Sequence, residues 1–170
     1  MNFNIYTDGS SRGNPGQGGF GVIVMDENNS KIEEKFSSQF ENVTNNYMEL
    51  VAIKTALEFA STHQNDNFKI YSDSAYCVNI CNNWIYSWKN NGWKRSKNQD
   101  IENLEIIKEI YNLLNIDFPN FMIIKIGGHN GNIGNELADS LAKMDNKKLQ
   151  NLILNNNIKF KGEKDYGINL

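Results

Sequence analysis

A chain of 170 residues with 39% hydrophobic residues fits one domain around one core. The opening residues, MNFNIYTDGS, lack the charged start and long apolar run of a secretion signal. No stretch approaches the ~18 apolar residues of a membrane span, so the chain is expected to be soluble and cytoplasmic. The formal charge of −3 argues against wholesale wrapping of a polyanion, because phosphate affinity comes from lysine and arginine replacing counterions.

The first predicted strand is Phe3 to Asp8. A glycine-rich turn leads to strands Gly19 to Met25 and Lys31 to Phe40, joined by Asp26-Glu27-Asn28-Asn29, which together make an antiparallel meander. Gly16 to Gly21 satisfies the spacing of a dinucleotide fingerprint. The residues after it, Val22-Ile23-Val24-Met25, favour a strand over the helix that fingerprint requires, so these are hairpin glycines. From Asn46 to Ser61 the apolar positions Met48, Ala52, Ala56, Phe59 and Ala60 recur at helical spacing, and Phe68 to Ser72 reads as a short buried strand.

A helix from about Ser74 carries Cys77 and Cys81, whose spacing makes neither a disulfide framework nor a clustered zinc site. It leads into WIYSWKNNGWKRSK at 84–97. There Lys89, Lys94, Arg95 and Lys97 are interleaved with Trp84, Trp88 and Trp93 without an acid, a local surface suited to nucleic acid. Residues 101–115 form a strongly periodic helix, Phe121 to Ile126 the fifth strand, and Asn135 to Met144 a further helix. This order implies an α/β fold, a mixed sheet flanked by helices, over 1–145. Residues 146–170, rich in Asn and Lys with one apolar burst at Leu152 to Leu154, form a C-terminal tail of unassigned structure.

Four carboxylates carry the candidate chemistry. Asp8 and Asp73 each end a predicted strand, the place where ligands bind in open α/β sheets; the alternative is that each starts a turn or caps a helix. Glu49 shares its helical stripe with Ile53, Ala56 and Ala60, and a buried carboxylate needs a proton, a partner or a metal. The alternative for Glu49 is the wet rim of the first turn, where the helix dipole favours it. Asp139 borders the Leu137, Leu141, Met144 face. Converged at one sheet edge, these groups need cations to stay ionised together, and hard oxygen donors select Mg²⁺ or Mn²⁺ over zinc. Two such ions ~3.5–4 Å apart suit in-line displacement at phosphorus. His129, in the glycine-rich stretch GGHNGNIGNELAD ten residues before Asp139, is placed to shuttle a proton or help product leave. His63, in STHQND, reads as a surface turn residue.

Taken together, TDGSSRGNPGQGGFG at 7–21, TNNYMELVA at 44–52, YSDSAY at 71–76 and GHNGNIGNELAD at 128–139 resemble the ordered motifs of ribonuclease H type 1. The resemblance implies a ribonuclease H-like mixed sheet of five strands, an antiparallel meander followed by parallel strands. It implies endonucleolytic cleavage of the RNA strand of RNA/DNA hybrids, leaving 5′-phosphate and 3′-hydroxyl ends. Asp8, Glu49, Asp73 and Asp139 are then ligands of two Mg²⁺ ions, with Asp8 bridging and Mn²⁺ able to substitute, and His129 assists turnover. Asn14, Asn45 and Asn46 are implied to read 2′-hydroxyls, which both donate and accept, and Thr44 to meet a DNA phosphate. The segment bearing Trp84, Trp88, Lys89, Trp93, Lys94, Arg95 and Lys97 resembles the family's basic protrusion, which grips the DNA strand.

Ala75 and Gly127 depart from the family pattern where a glutamine and a lysine are common, which bears on substrate affinity and not on the metal ligands. A DNA nuclease or recombinase of the same fold is one rival reading, since fold does not fix function. Its three-carboxylate set lacks the constellation of Asn14, Asn45, Asn46 and His129. A catalytically dead hybrid-binding module is the other rival, and the presence of all four carboxylates argues against it. The chain resembles the minimal single-domain form and is expected to act as a monomer.

Overall fold

The computed structural model describes residues 1–117, 120–127 and 131–161. Strands β1 (Asn2–Ser11), β2 (Gly16–Asp26) and β3 (Lys31–Val43) form the antiparallel meander. All three outrun the predicted limits. The glycine run that resembles a dinucleotide fingerprint is the first half of β2, and Gly18, Gly19 and Phe20 pair with Ser11, Ser10 and Gly9. That pairing carries β1 three residues beyond Asp8, so Asp8 lies within a strand and not at its end.

Helix α1 (Asn45–Ser61) begins at Thr44, whose side chain accepts the Tyr47 N–H, and buries Met48, Glu49, Leu50, Ala52, Ile53, Ala56, Leu57 and Ala60. Strand β4 (Asn67–Ser72) runs parallel to β1. Helices α2 (Ala75–Asn79) and α3 (Ile85–Asn90) are joined by a π-helical turn at Ile80–Trp84. Then come α4 (Leu104–Leu114), β5 (Phe121–Lys125), parallel to β4, and α5 (Ile133–Ala142).

The prediction of five strands needs correction. Residues Lys159–Phe160 form β6, which pairs in parallel with β3, so the described residues make a six-stranded sheet in the order β5-β4-β1-β2-β3-β6. Before it, Asn146–Asn155 forms helix α6. Leu149 and Ile153, four residues apart, are buried against α5 and the sheet. Two apolar anchors in an Asn- and Lys-rich background make too weak a stripe to be read in isolation; tertiary burial decides the helix.

Both faces of the sheet are covered. In β1 and β2, Ile5, Val22 and Val24 point into the core shared with α1, α2, α3 and α4, while Tyr6, Ile23 and Met25 pack against Leu137 and Leu141 of α5 and against α6. A strand covered on both faces reads as a continuous apolar run, as Val22-Ile23-Val24-Met25 does. Among the described residues no helix is long and apolar enough to cross a membrane.

Candidate active site

The parallel pairing of β1 with β4 ends at Thr7↔Ser72. The next residue of each strand is Asp8 and Asp73, so register alone sets two carboxylates side by side where the strands part. β1 continues along β2, whereas β4 stops and Ser74 caps α2 by accepting the Cys77 N–H at 3.2 Å. The cap that the sequence offered to Asp73 is therefore filled by its neighbour. Cys77 and Cys81 are buried and unbridged behind it, and burial pushes the Cys77 thiol up to about 12.

Two glycines bring the other carboxylates in. A Cβ on Gly9 would lie 2.2 Å from the Glu49 backbone nitrogen and 2.3 Å from the Met48 carbonyl carbon, so α1 can approach β1 this closely only over glycine. Gly21 faces Asp8 across the β1–β2 ladder, and a Cβ there would meet the Ala138 carbonyl oxygen at 2.3 Å. That contact seats α5 on β2 and delivers Asp139, the residue after Ala138, from one face of the sheet. Glu49 comes from the helix on the other face.

Asp8, Glu49 and Asp73 each offer a carboxylate oxygen, and these oxygens all lie within 4.8 Å of one another. Asp8 and Glu49 are only 6% and 8% exposed, and Glu49 Oε2 has no hydrogen-bond partner among the described residues. Burial, then the charges of Asp73 and Asp139, push the Asp8 carboxyl up to about 8. Burial, then Asp8 and Asp73, raise Glu49 well above the ordinary range. Three crowded carboxylates, one with an orphaned buried oxygen, form a hard-donor set that a divalent cation satisfies and a proton satisfies less well. The residues present fit a divalent metal.

Asp139 differs. Lys143 Nζ donates to its Oδ1 and Lys148 Nζ to its Oδ2, both at 2.9 Å. Burial would raise its pKa, but these two bonds prevail and hold it below the usual carboxylate range. The sequence reading overlooked both lysines. Lys143 had a signal, its i,i+4 spacing from Asp139; Lys148 had none, because it arrives on α6. His129 lies outside the described residues.

The predicted substrate contacts divide into two groups. The side-chain oxygen of Asn14 accepts the Asn45 N–H at 2.9 Å, and that of Asn45 accepts the Ser11 N–H at 2.6 Å. With Thr44 capping α1, these residues tie the turn after β1 to the start of the helix that carries Glu49. The bonds use the amide oxygens and leave the NH₂ donors outside them.

Asn46 lies apart, lining a groove of about 650 Å³ with Tyr76, Trp84, Trp88, Lys94 and Arg95. Trp84, 40% exposed, sits 5.9 Å from Tyr76 and 6.0 Å from Trp88 between ring centroids. Trp93 instead packs edge-on against Tyr111 at 5.4 Å, beneath Lys108. Lys89 and Lys97 are exposed outside the groove lining. Lys94 pairs with Asp100 and Glu102 joins the lining, so the fold returns acidic groups to a stretch that has none in sequence.

Comparison with known proteins agrees with this architecture. The RNase H family pattern matches residues 1–147. The chain is 43% identical over 145 residues to a ribonuclease H of Acetivibrio thermocellus, covering 85% of this chain and 94% of that protein. Among solved structures it resembles LC11-RNase H1 in complex with an RNA/DNA hybrid, with TM-score 0.62 and 25% identity over 84% of this chain and 94% of that one. It also resembles the prototype foamy virus protease-reverse transcriptase, with TM-score 0.71 and 26% identity over 84% of this chain, which spans 20% of that much longer one. A mixed sheet flanked by helices, with a carboxylate cluster where its two central parallel strands part, defines a nuclease of the metal-dependent hydrolase class. The chain belongs to the RNase H family.

Proposed function

We propose that this protein is an endoribonuclease that hydrolyses the RNA strand of RNA/DNA hybrids, leaving 5′-phosphate and 3′-hydroxyl ends. The observation that carries the reading is the convergence of Asp8, Glu49 and Asp73 on one point, with Asp139 near enough for its charge to act on the Asp8 carboxyl, in a chain of this family. Asp8, Glu49 and Asp73 would hold one divalent cation and Asp8 with Asp139 a second, the pair being Mg²⁺ with Mn²⁺ able to substitute. Bound there, such ions supply an activated water and charge stabilisation at the leaving oxygen.

The chain's own residues do the rest. Asp8 and Glu49 must release the protons that burial favours before they can act as ligands, so occupancy of the site is linked to pH. Asn14, Asn45 and Asn46 present amides to the 2′-hydroxyls, Thr44 lies at a DNA phosphate, and Trp84 and Trp88 offer stacking faces beside Lys94 and Arg95. Lys89, Trp93 and Lys97 extend the same basic segment, and His129 moves a proton during turnover. Residues 1–145 carry the catalytic groups, and α6 and β6 complete the same core and sheet. All four carboxylates come from one chain, which supports action as a monomer, and the unbridged Cys77 and Cys81 suit a reducing cytoplasm.

Labelled RNA/DNA, RNA/RNA and DNA/DNA duplexes, each with Mg²⁺ or with chelator, test the reading. Only the hybrid with Mg²⁺ should be cut, and Asp73→Asn should lose nearly all cleavage while still folding and binding hybrid. Since Ser74 caps α2, the loss cannot be assigned to a broken cap. Comparable cleavage of DNA/DNA, or an active Asp73→Asn protein, would overturn the assignment.

A further inference from the structure

The C-terminal helix reaches the catalytic carboxylates through a tight reversal. After α5, Met144 takes a left-handed φ of 52°. Its N–H donates to Leu141 O at 3.2 Å and the Asp145 N–H to Ser140 O at 2.9 Å, the two bonds of a Schellman closure. Asp145 then caps α6 by accepting the Lys148 N–H at 3.0 Å, and Leu149 and Ile153 are buried beneath the helix. The chain thus folds back so that Lys148, nine residues after Asp139, lies 2.9 Å from its Oδ2.

We infer that Lys148 is a built-in competitor for divalent cation at the Asp139 side of the site, an ammonium placed by α6 that must leave Asp139 when metal binds there. The inference rests on the reading of Asp139 as a metal ligand. Carboxylate lone pairs that accept N–H bonds are the ones a cation needs, and both oxygens of Asp139 are engaged, one by Lys143 and one by Lys148. Lys143, 53% exposed, stands on the same helix as Asp139 and can swing into water. Lys148, 37% exposed, stands on a separate helix that is capped by Asp145 and anchored by buried Leu149 and Ile153.

Charge counting sets the order of events. With both ammonium groups in place, four carboxylates carry two compensating charges, and one divalent cation at Asp8, Glu49 and Asp73 completes the balance. A second cation at Asp139 adds excess positive charge unless the lysines withdraw. Lys148 therefore raises the divalent-cation concentration needed for full occupancy and leaves the first ion little affected.

Calorimetric titration of the full chain with Mn²⁺ tests this in wild type, Lys148→Met, Lys148→Arg and Asp139→Asn. Lys148→Met should tighten the weaker binding step by roughly tenfold, the scale on which partners of metal ligands change affinity. The tighter step should stay within about twofold, and Lys148→Arg should behave like wild type. In the unaltered protein, saturating Mg²⁺ should raise the acetylation rate of Lys148 severalfold, read by mass spectrometry. Lys54, paired with Glu58 on its own helix and with Glu109 of α4, should not change. Asp139→Asn weakening Mn²⁺ binding while Lys148→Met does not tighten it would overturn the competitor role alone. An Asp139→Asn protein that binds Mn²⁺ like wild type would overturn the ligand assignment beneath it. Should Lys148→Met fail to fold, the acetylation of the unaltered chain decides, and an unchanged rate overturns the inference.

Discussion

The carboxylate cluster and the aromatic groove are built by opposite means. Asp8 and Asp73 are placed by the register of two parallel strands, and Glu49 and Asp139 by helices seated on glycines. The groove is lined by Asn46, Tyr76, Trp84 and Trp88 from helical segments and by Lys94 and Arg95 from irregular turns, beside which Trp93, Lys97, Asn98 and Asn103 all hold left-handed φ values between 57° and 60°. Such a conformation costs a non-glycine residue roughly 1–2 kcal/mol, so it persists only where the surroundings impose it. The carboxylate cluster therefore depends on strand register, and the turns beside the groove on the contacts that hold their strained residues in place.

Replacing one glycine in each region gives the largest contrast. Gly9→Ala forces a methyl into the backbone of α1 and should cost about 1–3 kcal/mol or more, with cleavage falling as Glu49 is displaced. Gly92→Ala has nothing within 4 Å and pays only for its φ of +67°, about 1 kcal/mol. Urea unfolding and hybrid cleavage of the two variants check this, and equal losses would contradict the difference in construction.

The response to pH should separate the regions next. Below its ordinary value of 3.8 Asp8 is protonated whether the chain is folded or not. As pH rises towards about 8 the unfolded chain gives up a proton that the native state keeps, so metal-free stability falls across that window, and Glu49 contributes with the same sign. Asp139 works the other way: its depressed pKa contributes stability above the ordinary carboxylate range, lost as pH falls through the folded value. Melting curves with chelator should therefore decline from about pH 4 to pH 8, and saturating Mg²⁺ should flatten them. A metal-free melting temperature that rises through that window would contradict the raised carboxyls.

The smallest effects belong to the groove. Trp84→Ala should raise KM by about three- to tenfold through one lost stacking face, with kcat and melting temperature nearly unchanged. Trp93→Ala should do the reverse, lowering melting temperature because its ring packs on Tyr111. A KM effect from Trp93 equal to that from Trp84 would place both rings on the substrate.

What the sequence revealed follows the same division. Periodicity located α1 and its buried stripe, and Glu49 on it, because a 3.6-residue repeat constrains every side chain along the helix. The strand limits were less legible. Gly9 reads as a turn, yet it stays in β1 because β2 offers it a hydrogen-bonding partner, a fact of pairing rather than composition. Trp93, read with the basic segment as a substrate contact, also packs its ring on Tyr111 of α4, a contact that no local pattern announces. Lys148 was invisible because its role depends on the reversal at Met144, where a left-handed methionine gives no local signal of the kind a glycine would.

The ladder between β1 and β4 has one more consequence, for length rather than identity. Its six pairs run from Asn2↔Asn67 to Thr7↔Ser72, and Asp8 and Asp73 are simply the next residue of each strand. A substitution inside the ladder changes packing and leaves the count intact. Deleting one residue from β4 either draws Asp73 back by about 3.3 Å or, if Asp73 keeps its place, turns the β4 side chains before the deletion to the opposite face. Extra residues in the turn at 62–66 enter before the ladder begins and leave the count untouched. The molecule can grow at one end of its central strands and must keep strict measure at the other.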